Sequence, residues 1–186
     1  MLERLADADA FASLGLTRRE ALWAAATAAT VRSGQLAGTT PGLAAPALPA
    51  MTAAEETFAD MWATGTFGTH PIAHLRPQLA ADGVAGAAAL AAAAPGAAIA
   101  VAGLVTHRQQ PGTARGVVFL SLEDETGMVN VICPPGVWAR HRRLALDASA
   151  LIVSGRVERL DGAVSLLAGR LRRIRAVAAV PSRDFR

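Results

Sequence analysis

From residue 97 the period changes, and short apolar runs bounded by Gly, Pro and acidic turns replace the helical spacing, the pattern of strands. Ile99-Ala-Val101-Ala-Gly103-Leu-Val105 predicts a first strand, Val117-Val-Phe119-Leu-Ser-Leu122 a second and Met128-Val-Asn130-Val-Ile-Cys133 a third. Glu123-Asp-Glu-Thr-Gly127 joins the second to the third as a tight acidic turn, where Asp and Gly are expected on turn grounds alone. Leu151 to Arg159 and Ala163 to Ala168 predict a fourth and a fifth strand, turning at Asp161-Gly162. The polar stretch His107 to Gly116 reads as a long loop after the first strand. Pro134-Pro-Gly opens a helix from Val137 to about Leu146, whose Trp138 suits the core or a plug at the bottom of a barrel.

Upstream the period is helical. Leu2, Leu5, Ala6 and Phe11 form one stripe, Leu14-Gly15-Leu16 turns the chain, and Thr17-Arg-Arg-Glu20 is a capping box that opens a second helix to about Thr30. Pro41, Pro46 and Pro49 exclude a helix from the following stretch. Thr52-Ala-Ala-Glu55 is a second capping box, for a helix ended by Gly65. A short helical segment follows His70-Pro71, and an Ala-rich helix is expected over residues 82–96. The predicted organisation is a helical hairpin over 1–34, a linker over 35–51, a helical connector over 52–96, a barrel over 97–176 and a frayed tail over 177–186. Three strands, a helix and two more strands is the order of the OB barrel. The fold class is α+β, with a five-stranded OB barrel in the C-terminal half preceded by short helices and a Pro/Gly-rich linker.

Composition sharpens this picture in two respects. Apolar residues make up 52% of the 186, but many are Ala in runs, so the core must come from Val, Ile, Leu, Phe and Trp, which cluster after residue 97. All the positive charge is Arg. Residues 140–186 hold eleven Arg against four acids, whereas the rest of the chain is mildly acidic. Such asymmetry suits a face that meets a polyanion, or else a solvated Arg-rich surface. Cys133 is the single cysteine, which excludes a disulfide framework and fits a reducing cytosol. No signal segment or membrane span is predicted, so the expectation is a cytoplasmic protein with no membrane partner.

OB barrels bind chiefly across their second and third strands, framed by the first long loop and the loop between the last two strands. The candidate nucleic-acid contacts are therefore Arg108, Gln109 and Arg115 from the loop, Phe119 and Asn130 from the second and third strands, and Arg156, Arg159 and Arg170 from the fourth and fifth. Arg neutralises phosphate and stacks on bases, and an aromatic ring offers a platform. Phe119 suits the core equally well. With aromatic residues at 4% of the chain, binding is expected to be weak, electrostatic and tolerant of sequence. His70 and His74 have a spacing that helical metal sites use, but Pro71 between them favours a capping or packing histidine. No catalytic constellation, cofactor site or metal site is predicted.

The stretch Val105-Thr-His-Arg108-Gln109-Gln-Pro111-Gly-Thr113-Ala114-Arg-Gly116-Val-Val-Phe119-Leu-Ser-Leu122-Glu123-Asp124-Glu125-Thr-Gly127-Met-Val-Asn130-Val resembles the OB-domain signature of bacterial C-family (DnaE-type) DNA polymerases, closest to the error-prone branch. Asp60-Met-Trp-Ala-Thr-Gly65, with His70-Pro71 and Leu75-Arg76, is similar to the segment before the barrel in those enzymes, and Phe11 to Trp23 to the end of their helix-hairpin-helix region. Ser182-Arg183-Asp184-Phe185-Arg186 is similar to their C-terminus. The resemblance implies the C-terminal portion of such an enzyme. It implies single-stranded DNA as partner, with lesion-bypass proteins or the sliding clamp as alternatives, and an RNA or anticodon-type binder as a more distant one. The catalytic palm of the family has no counterpart in these residues, so the chain alone is expected to be inactive in DNA synthesis.

Overall fold

The computed structural model describes residues 1–31, 34, 36, 44–160 and 162–174, together with the backbone of 183–185. Most of the expected linker up to residue 43, the turn residue Asp161 and most of the expected tail lie outside the described residues. The chain divides into two compact units between Gly68 and Thr69, inside the span expected to be one connector.

The first unit contains α1 (Leu2–Asp7), α2 (Arg18–Ala28) and α3 (Ala53–Thr64). Both predicted capping boxes are formed: Thr17 accepts from the Glu20 amide and Thr52 from the Glu55 amide, while each Glu accepts from the amide of its cap residue. Gly65 ends α3 with φ +73°, a conformation in which a Cβ would be strained. The buried apolar residues here are small (Ala6, Ala21, Ala25) apart from Met61, so ion pairs supplement a thin core. Buried Arg18 joins α2 to α3 through the Glu56 carbonyl (3.2 Å) and the Asp60 carboxylate, and Arg19 pairs with Glu55 at 3.2 Å.

The second unit contains the barrel. A 3-10 turn over Pro71–Leu75 leads into α4 (Arg76–Ala81). The Ala-rich stretch is not one helix over 82–96. Gly83 turns the chain at φ +71°, Ala85 bridges to Val101, and only α5 (Ala87–Ala92) is helical. Then come β1 (Ala98–Gln109), β2 (Val118–Asp124), β3 (Gly127–Cys133), α6 (Pro135–Asp147), β4 (Ala150–Leu160) and β5 (Ala163–Arg173). Antiparallel pairs β1–β2, β2–β3, β4–β5 and β1–β4 and the parallel pair β3–β5 close the five strands into the expected OB barrel. A short β6 (Arg183–Phe185), within the span expected to be frayed, runs parallel to His107–Gln109 of β1.

Alternate residues of the strands point inward: Val101, Val105, Val118, Leu120, Leu122, Val129, Val131, Leu151, Val153, Val157, Leu166 and Leu171 are all buried in one cluster. Val137, Trp138 and Leu144 of α6 pack against it, so Trp138 is part of the plug. Closure needs glycine at two close approaches. A Cβ on Gly103, where β1 passes from β4 to β2, would stand 2.8 Å from the Glu123 carbonyl oxygen. A Cβ on Gly155 would overlap the Leu167 backbone beside the β4–β5 bulge.

The polar stretch after Val105 is not a loop from His107; β1 continues to Gln109, and the loop to β2 is left with residues 110–117. The pairing register slips between Val105 and His107, a bulge at Thr106. The bulge inverts the alternation. His107 and Gln109 then share the outer face with their partners Ser121 and Phe119, while Arg108 shares the inner face with Leu120.

His70 caps the 3-10 turn. Its Nδ1 accepts the Ile72 amide at 3.2 Å, a bond that needs the neutral ring. Burial pushes the His70 imidazole below its ordinary value, against weaker opposing pulls from Glu123, Glu125 and Asp124. A depressed histidine pKa contributes stability above the unfolded value of about 6.5 and loses it as pH falls through the folded value. His70→Asn keeps an acceptor at the cap but does not titrate. Melting temperatures measured from pH 8 to about pH 5 should therefore fall less steeply below about 6.5 for the variant than for the parent; parallel curves would exclude His70 as the source.

Candidate nucleic-acid interface

The strand register places outward side chains in rows that cross the barrel. Gln109 pairs with Phe119, Phe119 with Ile132, Ile132 with Leu167 and Leu167 with Arg156. Phe119 is 38% exposed, which puts it on this face and out of the core. Two residues further along each strand, roughly 7 Å away, is a polar row in which His107, Ser121, Asn130, Ser165 and Glu158 are paired in the same order. Beyond it, Glu123 pairs with Met128 and Leu160 with Ala163; Met128 and Leu160 are 58% and 74% exposed. The face thus has an apolar row, a polar row and a second apolar row.

Its charge is graded along the strands. Arg170 pairs with Ser154, one step past Arg156 towards the end of the barrel at which β2 begins, and Arg172 lies beyond it, paired with Ile152. Arg115 stands exposed at the same end, in the loop between β1 and β2, with φ +49°. Arg156 is exposed and donates one bond to the Gly96 carbonyl (3.0 Å). The carboxylates lie away from that end, Glu158 in the polar row and Glu123 in the row beyond it. Among the described residues none of these six takes part in an ion pair.

Of the eight predicted contacts, Gln109, Phe119, Asn130 and Arg156 share the face, and Arg115 and Arg170 flank it at the basic end. Two are placed elsewhere. Arg108 is buried, its Nε donating to the Ala145 carbonyl (2.8 Å) and its Nη2 to the Ala148 carbonyl (2.6 Å) at the C-terminus of α6. Arg159 shares the inner side of β4 with Val157 and donates to the Ala91 and Ala93 carbonyls at the end of α5. Both occupy the orphan carbonyls of helix ends. Sequence reasoning missed Ile132, Leu167, Ser121 and Ser165, whose signal was parity with Phe119 and Asn130 across the ladders.

The acidic turn is a structural junction. Oδ1 of Asp124 accepts from the Thr126 amide and hydroxyl (both 2.7 Å) and the Gly127 amide (3.1 Å), while Oδ2 accepts from the Ala87 amide (2.8 Å) and from Arg76 (3.0 Å). Arg76 also grips Glu125. Among the described residues no group of histidine, cysteine and carboxylate side chains could hold a metal ion, and no helix is long and apolar enough to cross a membrane. Burial pushes the Cys133 thiol up to about 11, which leaves it protonated and unreactive.

Residues 99–174 match the family model described as OB-fold nucleic acid binding domain. Error-prone DNA polymerase of Mycolicibacterium paratuberculosis is 53% identical over 185 residues, 99% of this chain and 17% of its own length. The chain is homologous to error-prone DNA polymerases. The polymerase of Nocardia farcinica agrees, with 51% identity over 91% of this chain and 15% of its own. The chain thus spans about a sixth of the length of these polymerase relatives. Among solved structures, asparaginyl-tRNA synthetase from Pyrococcus horikoshii overlaps 42% of this chain and 20% of its own, with 22% identity and a TM-score of 0.36.

Proposed function

We propose that the striped outer face binds single-stranded DNA, and that it does so as the template-side contact of an error-prone polymerase acting in lesion bypass and repair. The observation that carries this reading is the row Gln109–Phe119–Ile132–Leu167–Arg156: one aromatic platform, two apolar neighbours and a cation, beside exposed arginines. A row of this width accommodates unpaired bases, which can stack on Phe119 while arginines contact the phosphates. A single aromatic limits the grip, so affinity should be modest and strongly dependent on salt.

Anisotropy titration of a labelled oligonucleotide across a salt series tests this. Phe119→Ala should weaken binding about tenfold at every salt concentration, since a base–aromatic stack contributes roughly 1–3 kcal/mol. Arg115→Ala and Arg156→Ala should each reduce the slope of log K against log salt by about 0.7. Absence of binding even at low salt, with the fold intact, would exclude the reading. It would leave the exposed Met128, Leu160 and Phe119 as a surface for a protein partner, either a lesion-bypass component or the clamp.

A further inference from the structure

We propose that the face discriminates among bases, favouring those that present an exocyclic amine, such as cytosine, over thymine. This rests on the reading of the face as a single-strand surface. The charge gradient fixes how a strand can lie. Arg115, Arg156, Arg170 and Arg172 are all at the end where β2 begins, whereas Glu158 lies in the middle, polar row and Glu123 in the row beyond it. Phosphates are attracted to the arginines and repelled from the carboxylates, so the backbone follows the arginines and the bases extend along the strand direction. They cross Phe119, Ile132 and Leu167, and their edges reach the polar row.

That row is biased towards acceptors. His107, Ser121, Asn130 and Ser165 can donate or accept, but the Glu158 carboxylate, paired beside Ser165, can only accept. Glu123 extends the bias on β2, two residues beyond Ser121 on the same face. Among the described residues neither carboxylate is held in an ion pair by an arginine, although Arg156 is the next outward residue of β4 before Glu158. At the tip of an extended base, opposite the sugar, cytosine presents its amine, which donates to such a carboxylate, whereas thymine presents O4, an acceptor that the carboxylate repels; thymine's one donor, N3–H, lies at the side of the ring. Backbone flexibility and stacking alone give either no preference or a preference for pyrimidine runs irrespective of this edge.

The experiment compares labelled oligodeoxycytidine and oligothymidine of equal length, titrated with the full chain at pH 7.5. Cytosine strands should bind about fivefold tighter, the range of one net hydrogen bond, with equal salt slopes because the phosphate contacts are shared. Glu123→Gln with Glu158→Gln should bring the ratio near one, mainly by raising the thymine affinity, because an amide can donate to O4. Equal affinities in the parent, or a preference for thymine, would overturn base discrimination while leaving single-strand binding intact. A ratio unchanged by the double substitution would overturn the assignment to these carboxylates. If neither strand binds at low salt, the single-strand reading and the discrimination fail together.

Discussion

Asp124→Ala should destabilise the barrel unit by about 3–5 kcal/mol, the summed cost of leaving several buried or part-buried donors without their acceptor. Asp124 is 5% exposed, and its two oxygens accept five hydrogen bonds, from its own turn, from the first amide of α5 and from Arg76. Removing it strands the Ala87 amide, opens the β2–β3 turn and deprives Arg76 of its buried counter-charge in a single step. Glu125→Ala removes only the more exposed arm of the Arg76 pair and should cost under about 1 kcal/mol. Urea denaturation of the two variants decides the matter. If both lose the same small amount, Asp124 is only a turn residue and the junction carries no special weight. Asp124→Asn should fall between them, because the amide keeps one acceptor but loses the charge that Arg76 answers.

How much of this was legible in the sequence differs between levels of structure. The barrel was legible from short apolar runs bounded by turn residues and from their order around one helix; within those strands Val101, Val118, Leu120, Val129, Val131, Val153 and Leu166 take the inward positions. Both capping boxes were legible because a cap is local. Phe119 was undecidable alone, since a single aromatic in a strand fits either face; its pairing with outward Gln109 and Ile132 resolves it. The acidic turn was legible as a turn, but Asp124 as the cap of α5 was not, because that contact spans 37 residues. Arg159 was misplaced although parity with Val157 was available. Arg108 was misplaced for a deeper reason. Counting by twos from Val105 sends Arg108 outward, and only the extra residue of a bulge turns it in, a feature that polar side chains at 106–109 do not announce.

That inversion makes the strongest contrast between holding the fold and holding a ligand. Arg108 is 6% exposed and its guanidinium closes the C-terminal carbonyls of α6, the helix that plugs the barrel through Val137, Trp138 and Leu144. Arg108→Ala removes charge-assisted hydrogen bonds, each worth about 1.5–3 kcal/mol, and leaves buried carbonyls without donors. The expected loss is about 3 kcal/mol, with the melting temperature lowered accordingly. Arg108→Lys should recover only part of it, because one ammonium cannot reproduce the planar fork that spans Ala145 and Ala148. The decisive measurement is made on the variant that remains folded at low temperature. A phosphate contact would lower the salt slope of oligonucleotide binding by about 0.7; a residue that holds α6 leaves the slope unchanged. Arg156→Ala should do the reverse, altering the slope with little effect on melting, since its side chain is exposed and makes one bond to the Gly96 carbonyl. If Arg108→Ala leaves stability intact and flattens the slope, the guanidinium serves the ligand in solution, and the inward register of β1 after the bulge is wrong.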